Sequence, residues 1–167
     1  GTAEWTGTPL KGVLREAGLQ NRAVEVLFTG LDRGLEAGEF SNYQRSLTIE
    51  EASRDEVMLA YEMNGNPLEP QHGYPLRLVV PDWYGMTSVK WLGSIEAIEQ
   101  PFNGFQMASY VYKTAEEDPG EPVSLIRVKA LMVPPGVPDF LTRVRALEPG
   151  DVEIVGMAWA GRSEVTR

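Results

Sequence analysis

A short acidic segment constrains this sequence most, because it separates two stretches that follow different patterns. Residues 114–122 read Thr-Ala-Glu-Glu-Asp-Pro-Gly-Glu-Pro, which combines clustered carboxylates with two prolines and has no apolar periodicity. This composition is typical of an exposed connector between domains. We therefore predict a first domain over residues 1–115, a linker over 116–122 and a second unit over 123–167.

Helical and extended patterns are mixed before the connector. Thr8 is a candidate N-cap and Pro9 a candidate first helical residue, while Gly18 provides a left-handed end for that helix. The Thr48–Glu51 tetrapeptide predicts a capping box. The predicted strands are 23–28, 57–63, 76–80 and 88–98. Because these elements lack regular strand–helix–strand spacing, we predict an α+β fold with mixed or antiparallel pairing.

Residues beyond the connector have a β pattern. Apolar stretches at 126–133, 140–144 and 152–159 are separated by Pro-Pro-Gly and Glu-Pro-Gly turns. About 45 residues are available here, whereas an immunoglobulin-like sandwich needs roughly 100. We therefore expect an all-β unit that is truncated at Arg167, in a chain that is an internal piece of a longer polypeptide.

Composition excludes several classes of function. A formal charge of −9, from 15 basic and 24 acidic residues, opposes general binding to nucleic acid. Cysteine is absent and His72 is the only histidine, which excludes thiolate and multi-histidine metal sites and argues against a Ser-His-Asp triad. The sequence contains no run of ~18 apolar residues, so it predicts no membrane-spanning helix.

Three groups that can carry positive charge lie around the apolar strand at 76–80. His72 and Arg77 precede or begin it, and Lys90 follows in the next extended stretch. An arginine fork and a lysine point charge together suit a phosphate or another small anion. The alternative is that Arg77 and Lys90 lie on a solvated sheet face or pair with nearby carboxylates.

Asp32 and two tyrosines are further candidates, although pattern alone favours ordinary roles for them. Asp32 follows a predicted strand end, where it could accept hydrogen bonds from an aminopyrimidine-like ring or simply stabilise a turn. Tyr110 and Tyr112 would share one face if their segment is extended. Either phenol could donate to an oxyanion, or the pair could pack a sheet edge.

Five segments, in the same order along the chain, resemble the molybdopterin-binding domain of the sulfite oxidase family. They are Trp5-Thr6-Gly7-Thr8-Pro9-Leu10, Phe28-Thr29-Gly30-Leu31-Asp32, Leu59-Ala60-Tyr61-Glu62-Met63-Asn64-Gly65, His72-Gly73-Tyr74-Pro75-Leu76-Arg77 and Ser88-Val89-Lys90-Trp91-Leu92. The segment 156–161 resembles the opening strands of the family's immunoglobulin-like dimerisation domain. The resemblance implies a sulfite-oxidase-type fold and a molybdenum–molybdopterin cofactor.

The resemblance also implies roles for single residues. Asp32 would contact the pterin, while His72 and Arg77 would bind the cofactor, with Arg77 at its phosphate. A further contact strip would be Ser88, Val89 and Lys90. Tyr110 would be the active-site tyrosine, with Tyr112 as the alternative. The family's metal-binding cysteine would lie upstream of Gly1, so no residue of this chain is expected to bind the metal.

The implied activity is oxygen-atom transfer that oxidises sulfite to sulfate. It would require a small oxyanion substrate and a separate electron acceptor such as a cytochrome, and the complete protein would be a homodimer. Nitrate reductase and methionine-sulfoxide reductase of the same superfamily are alternatives, as is a non-catalytic fragment or scaffold. The sequence does not assign a cellular compartment.

Overall fold

The computed structural model of the chain describes residues 2–36 and 38–166. It divides into two compact units, Gly1–Ser124 and Leu125–Arg167. Within the described residues, no helix combines the length and apolar character needed to cross a membrane.

Short strands dominate the first unit. In chain order its elements are β1 (Trp5–Pro9), α1 (Leu10–Glu16), β2 (Glu25–Glu36), β3 (Glu39–Thr48), α2 (Ile49–Ala52), β4 (Met58–Met63), β5 (Asn66–Pro67), β6 (Arg77–Val79), β7 (Leu92–Ile98), α3 (Phe105–Ser109), β8 (Val111–Tyr112) and β9 (Glu121–Pro122). Two 3₁₀ turns, Pro70–His72 and Gly85–Thr87, flank β6.

These strands form three sheets in the described residues. In the first sheet β4 pairs with β1, β5 and β6, and the second has the order β3-β2-β7. The short strands β8 and β9 pair with each other, so the end of the acidic segment belongs to the β structure of the first unit. All of these pairings are antiparallel. The sequence predicted either mixed or antiparallel sheets, and the sheets of the first unit are antiparallel.

The ends of the first helix follow the sequence only in part. Thr8 was predicted as the N-cap, but it pairs with Leu59 in the sheet, so Pro9 occupies the cap and no side chain caps the helix. Gly18 has φ +75° just beyond α1, as predicted for a left-handed helix end. The Thr48 hydroxyl accepts a hydrogen bond from the Glu51 N–H at 3.2 Å, which confirms the N-cap of α2.

Two predicted extended stretches differ from the structure. The strand predicted over 88–98 begins only at Leu92, because Trp91 has φ +47° and interrupts the extended backbone. Residues Phe105–Ser109 form α3, so Tyr110 follows a helix and only the Val111–Tyr112 pair is extended. Tyr110 and Tyr112 therefore do not share the face of one strand.

An apolar core connects the two larger sheets with α1. Its most buried members come from α1, β2, β3, β4 and β6, and they include Leu10, Phe28, Leu47, Leu59 and Leu78. Each such side chain contributes roughly 1.5–3 kcal/mol by burial. Val89, which is only 1% exposed, belongs to the same core and thereby fixes the segment that leads into β7.

The second unit contains a small antiparallel sheet of β10 (Lys129–Val133) and β11 (Val155–Trp159). The strand predicted over 140–144 is wrong. That segment turns instead, because the Asp139 carboxylate accepts hydrogen bonds from the N–H groups of Leu141 and Thr142, and Arg143 adopts φ +62°. Both strands of the sheet are solvent-exposed throughout.

Candidate functional site

A single 3₁₀ turn brings the predicted cationic residues together. The turn has proline at its first position, and its carbonyl groups all accept hydrogen bonds from side chains of later residues. The pairs are Trp91 Nε1 with the Pro70 oxygen at 2.8 Å, Lys90 Nζ with the Gln71 oxygen at 3.1 Å and Arg77 Nη1 with the His72 oxygen at 2.9 Å. His72, Arg77 and Lys90 therefore belong to one cluster, which we call the cation cluster.

Arg77 is the most firmly held member of the cation cluster. Besides its bond to His72, its Nη2 donates to the Ser88 carbonyl oxygen at 3.1 Å, and the guanidinium carbon lies 4.9 Å from the centre of the Trp5 ring. Burial lowers the pKa of Arg77. A guanidinium carries five N–H donors and stays charged at neutral pH, so these contacts orient the group while leaving donors for an anion.

Gly73 allows the turn to approach both cations closely. Its φ of +105° is a backbone conformation that L side chains rarely adopt. A Cβ at this position would lie 3.0 Å from Lys90 Cβ and 3.2 Å from Arg77 Cβ. The close approach of the two charged residues therefore depends on a glycine.

Asp32 lies on an irregular part of β2, where the pairing with β3 shifts register between Thr29 and Arg33. Its Oδ1 atom is buried and has no hydrogen-bond partner within the described residues. Gly30 makes room for it, since a Cβ on Gly30 would lie 2.2 Å from Asp32 Oδ1 and 3.0 Å from the Lys90 carbonyl oxygen. An unsatisfied buried carboxylate oxygen is costly and indicates a missing donor.

Ser88 and Val89 use their side chains within the protein. The Ser88 hydroxyl accepts a hydrogen bond from the Val80 N–H at 3.1 Å, and the Val89 side chain is part of the core. The Val89 carbonyl accepts from the Leu78 N–H at 2.8 Å. The two residues thus hold the strip against β6, and their own contacts with a cofactor stay a prediction.

His72 lies at the outer side of the cluster. Its side chain is 40% exposed, and its Nδ1 is 3.6 Å from the Glu69 carboxylate. The backbone carbonyl of His72 orients Arg77, while the imidazole is accessible from solvent. Its side chain can therefore contact a bound group at the rim of the cluster.

Tyr110 is held by a different set of contacts. Its N–H donates to the Gln106 carbonyl, and its carbonyl accepts from the Val123 N–H at 2.9 Å. Arg45 is 1% exposed and donates to the carbonyl groups of the same two residues, at 2.9 and 3.0 Å. Arg45 therefore fixes the backbone on both sides of Tyr110, but these bonds do not connect Tyr110 with the cation cluster.

Tyr43 is a residue that the sequence analysis missed. Its hydroxyl donates to the Met86 carbonyl oxygen at 2.6 Å, in the turn that leads into Ser88. The neighbouring Asn42 donates to the Gly30 carbonyl oxygen at 2.7 Å, close to Asp32. Tyr43 and Asn42 thus each contact one segment of the candidate site, a relationship that depends on the register of β2 and β3 and has no signal in the local sequence.

Metal ligands and cavities do not add residues to this site. In residues 2–36 and 38–166, no group of three or more His, Cys, Asp or Glu side chains could hold a metal ion. A cavity of about 380 Å³ lies elsewhere, between α1 and β7, and it is lined by residues such as Val13, Ala17 and Ile95. None of its lining residues belongs to the cation cluster.

The family described as "oxidoreductase molybdopterin binding domain" matches residues 1–106 of the sequence. The chain belongs to this family. The match confirms the family resemblance and the fold class predicted from the sequence.

Several relatives of this family member are known. Human mitochondrial sulfite oxidase is 34% identical over 173 residues, which cover 96% of this chain and 30% of that protein. Sulfite oxidase of Arabidopsis thaliana is 41% identical over 116 residues, 64% of this chain and 29% of the relative. Nitrate reductase [NADH] 2 of Phaseolus vulgaris is 42% identical over 105 residues, 59% of this chain and 12% of the relative.

A solved structure is also similar to the chain. The crystal structure of the sulfane dehydrogenase SoxCD from Paracoccus pantotrophus matches with a TM-score of 0.77 and 30% identity, over 95% of this chain and 38% of that one. The chain spans less than a third of the length of the human and Arabidopsis sulfite oxidases.

The residues of the site fit the cofactor of the family, which is molybdenum–molybdopterin. Such a cofactor combines an anionic phosphate with a ring system that carries N–H donors. The cation cluster provides positive charge in a chain of net charge −9, and the orphaned Asp32 oxygen provides an acceptor beside the Lys90 backbone. The two halves of the site therefore complement the two ends of the cofactor chemically.

Proposed function

We propose that the first unit binds molybdenum–molybdopterin and that the whole protein is an oxidoreductase that oxidises sulfite. Arg77 and Lys90 would hold the phosphate, with His72 at the rim, and Asp32 would accept hydrogen bonds from the pterin. Ser88, Val89 and Lys90 would line the cofactor between these ends. The observation that carries the proposal is the buried, unpartnered Asp32 oxygen beside the Lys90 backbone.

Local bonds rather than long-range attraction would bind the phosphate. A net charge of −9 repels anions at a distance. An arginine that is oriented by two backbone carbonyls can still form paired charge-assisted hydrogen bonds with phosphate, and such bonds are about twice as strong as neutral ones. The fixed position of Arg77 also reduces the side-chain entropy that binding would cost.

Asp32 would select the ring end of the cofactor. A carboxylate that is only partly exposed and lacks a donor favours a ligand that presents N–H groups in the plane of a ring. Binding would satisfy the orphaned oxygen, so the free energy that the unpaired atom costs in the empty protein would become part of the binding energy.

The bound cofactor would supply two-electron oxygen-atom transfer, while the protein orients cofactor and substrate. The sequence resemblance assigns the metal's cysteine ligand to a position outside this chain, and none of the 167 residues is a cysteine. Tyr110 would donate a hydrogen bond to an oxygen of the substrate. Tyr112 is the alternative for this role, as in the sequence analysis.

Sulfite as the substrate rests on the resemblance of the sequence to the sulfite oxidase family and on the two sulfite oxidases, human and plant, among the relatives. We further propose a domain boundary at residue 115, a linker over 116–122 and an immunoglobulin-like dimerisation unit from residue 123. A separate electron acceptor such as a cytochrome and a homodimeric assembly belong to the same proposal.

The cofactor assignment is tested with Arg77→Glu in the full gene product. Molybdenum per protein, measured by elemental analysis, should fall at least tenfold, because a carboxylate would repel the phosphate. Arg77→Lys should retain an intermediate amount, since it keeps the charge but loses the fork. Arg22→Glu is the control, because Arg22 is exposed and pairs with Glu99 outside the cluster. Unchanged molybdenum in Arg77→Glu would show that Arg77 does not bind the phosphate.

The tyrosine assignment is tested by comparing Tyr110→Phe and Tyr112→Phe. We expect Tyr110→Phe to lower turnover of sulfite by 10²–10⁴-fold, the typical contribution of a positioned proton donor, with molybdenum content unchanged. If Tyr110→Phe keeps full turnover and Tyr112→Phe loses it, the role belongs to Tyr112. If both variants keep full turnover, neither tyrosine has the proposed role. Absence of sulfite oxidation in a fully loaded wild-type protein would refute the proposed substrate.

A further inference from the structure

Trp91 has a backbone conformation that large side chains rarely adopt. Its φ is +47°, in the left-handed region that glycine and asparagine favour. Such conformations persist only where surrounding contacts enforce them, and they concentrate at functional sites. The contacts of Trp91 therefore need an explanation.

Three contacts of Trp91 connect the separate parts of the candidate site. Its carbonyl oxygen accepts a hydrogen bond from the Leu31 N–H at 2.8 Å, next to Asp32. Its indole N–H donates to the Pro70 carbonyl oxygen at 2.8 Å, in the turn that orients the cations. Its ring lies 4.3 Å from the Lys90 ammonium, within cation–π range.

The residues on either side of Trp91 bond to both strands of the candidate site. The Val89 carbonyl accepts from Leu78 of β6, and the Leu92 N–H donates to the Leu76 carbonyl just before β6 at 2.9 Å, while Leu92 also pairs with Gly30 of β2. The backbone around Trp91 therefore lies between the strand that carries Arg77 and the strand that carries Asp32, and it contacts both. An extended residue at this position would turn the next side chain to the other face and would not place the Trp91 carbonyl toward Leu31.

We propose that Trp91 is a positioning residue that sets the separation between the cation cluster and Asp32. The separation matters because one cofactor must reach both ends at once, and this inference therefore rests on the proposed function. Trp91 acts through Lys90, the Pro70–His72 turn and Leu31, and none of these contacts requires it to touch the cofactor. The indole contributes to the positioning through its N–H and its ring, whereas the cost of the left-handed backbone falls on the stability of the protein.

Four variants of the full gene product separate these contributions. Trp91→Phe keeps the ring near Lys90 and removes the N–H donor. Trp91→Ala removes the ring, and Trp91→Gly removes it while allowing the left-handed backbone without strain. Trp83→Phe is the control, because Trp83 lies in the same unit and its indole N–H has no partner among the residues that the structure describes.

The readouts are molybdenum per protein, pterin fluorescence after acid release, and the thermal midpoint. Loss of one hydrogen bond should make Trp91→Phe lose molybdenum about three- to tenfold faster than the wild type, when molybdenum per protein is followed over time. Trp91→Gly should melt at a higher temperature than Trp91→Ala, yet both should lose the cofactor to a similar extent. Trp83→Phe should keep it. Cofactor retention would then be independent of the thermal midpoint, and a positioning role requires this independence.

Two results would overturn the inference. One is cofactor retention that follows the thermal midpoint across all four variants, which would make Trp91 a stabilising residue only. The other is full retention in Trp91→Ala. If Arg77→Glu loses molybdenum while Trp91→Ala keeps it, only the role of Trp91 is wrong, whereas retention in Arg77→Glu refutes the proposed cofactor site itself.

Discussion

Replacement of Gly73 by alanine should disrupt the cation cluster directly. The residue has φ +105°, so any Cβ is strained there, and the left-handed region costs about 1–2 kcal/mol for a non-glycine residue. The new methyl group would also lie 3.0 Å from Lys90 Cβ and 3.2 Å from Arg77 Cβ. Relief of such crowding typically costs about 1–3 kcal/mol. We therefore expect the free energy of unfolding to fall by about 2–5 kcal/mol.

Gly18→Ala is a matched control for this variant. Gly18 also has a positive φ, +75°, but nothing lies within 4 Å of a Cβ built on it. It should therefore lose only the conformational part, about 1–2 kcal/mol. Urea denaturation followed by tryptophan fluorescence gives both values, and elemental analysis gives the molybdenum content. The reasoning is refuted if the two variants lose equal stability and Gly73→Ala keeps its molybdenum.

Two further predictions concern buried and titrating groups in the first unit. Arg45→Met should lower the free energy of unfolding by about 1–3 kcal/mol in urea denaturation, because it removes the Arg45 donor from the Val123 carbonyl and leaves the Gln106 carbonyl with only the Tyr110 N–H; a loss below about 0.5 kcal/mol would contradict this. Hydrogen bonds from Gly120 and Thr114 lower the pKa of the Asp118 carboxyl, so its stabilising contribution is present above the ordinary carboxyl pKa and is lost as the pH falls through the lowered one. Asp118→Asn should therefore show a smaller loss of thermal stability than the wild type between about pH 5 and pH 2, and identical curves would exclude this contribution.

The sequence predicted the parts of the site that depend on short separations. His72, Arg77 and Lys90 surround one short strand, and the turn between them needs only a proline and a glycine at fixed positions. Because these features are local, their spacing could be interpreted without knowledge of the sheets. Asp32 was predicted to follow the end of a strand, but β2 continues through it to Glu36 with a register shift between Thr29 and Arg33, and neither this nor its buried oxygen could be foreseen.

The parts that the sequence did not predict depend on tertiary contacts. Trp91 belongs to a residue type that favours strands, so its left-handed backbone has no local signal. Arg45 lies in a strand and is buried because its acceptors come from residues 61 and 78 positions further along the chain. Tyr110 was considered in an extended segment, whereas residues Phe105–Ser109 form a short helix before it.

A crystal structure of the cofactor-loaded gene product tests the central claim most directly. The account predicts the cofactor phosphate within hydrogen-bond distance of the Arg77 guanidinium, with Lys90 beside it, and a ring N–H of the pterin on the Asp32 oxygen that is unpartnered here. A cofactor bound away from the Pro70–His72 turn, with that Asp32 oxygen still lacking a donor, would contradict it.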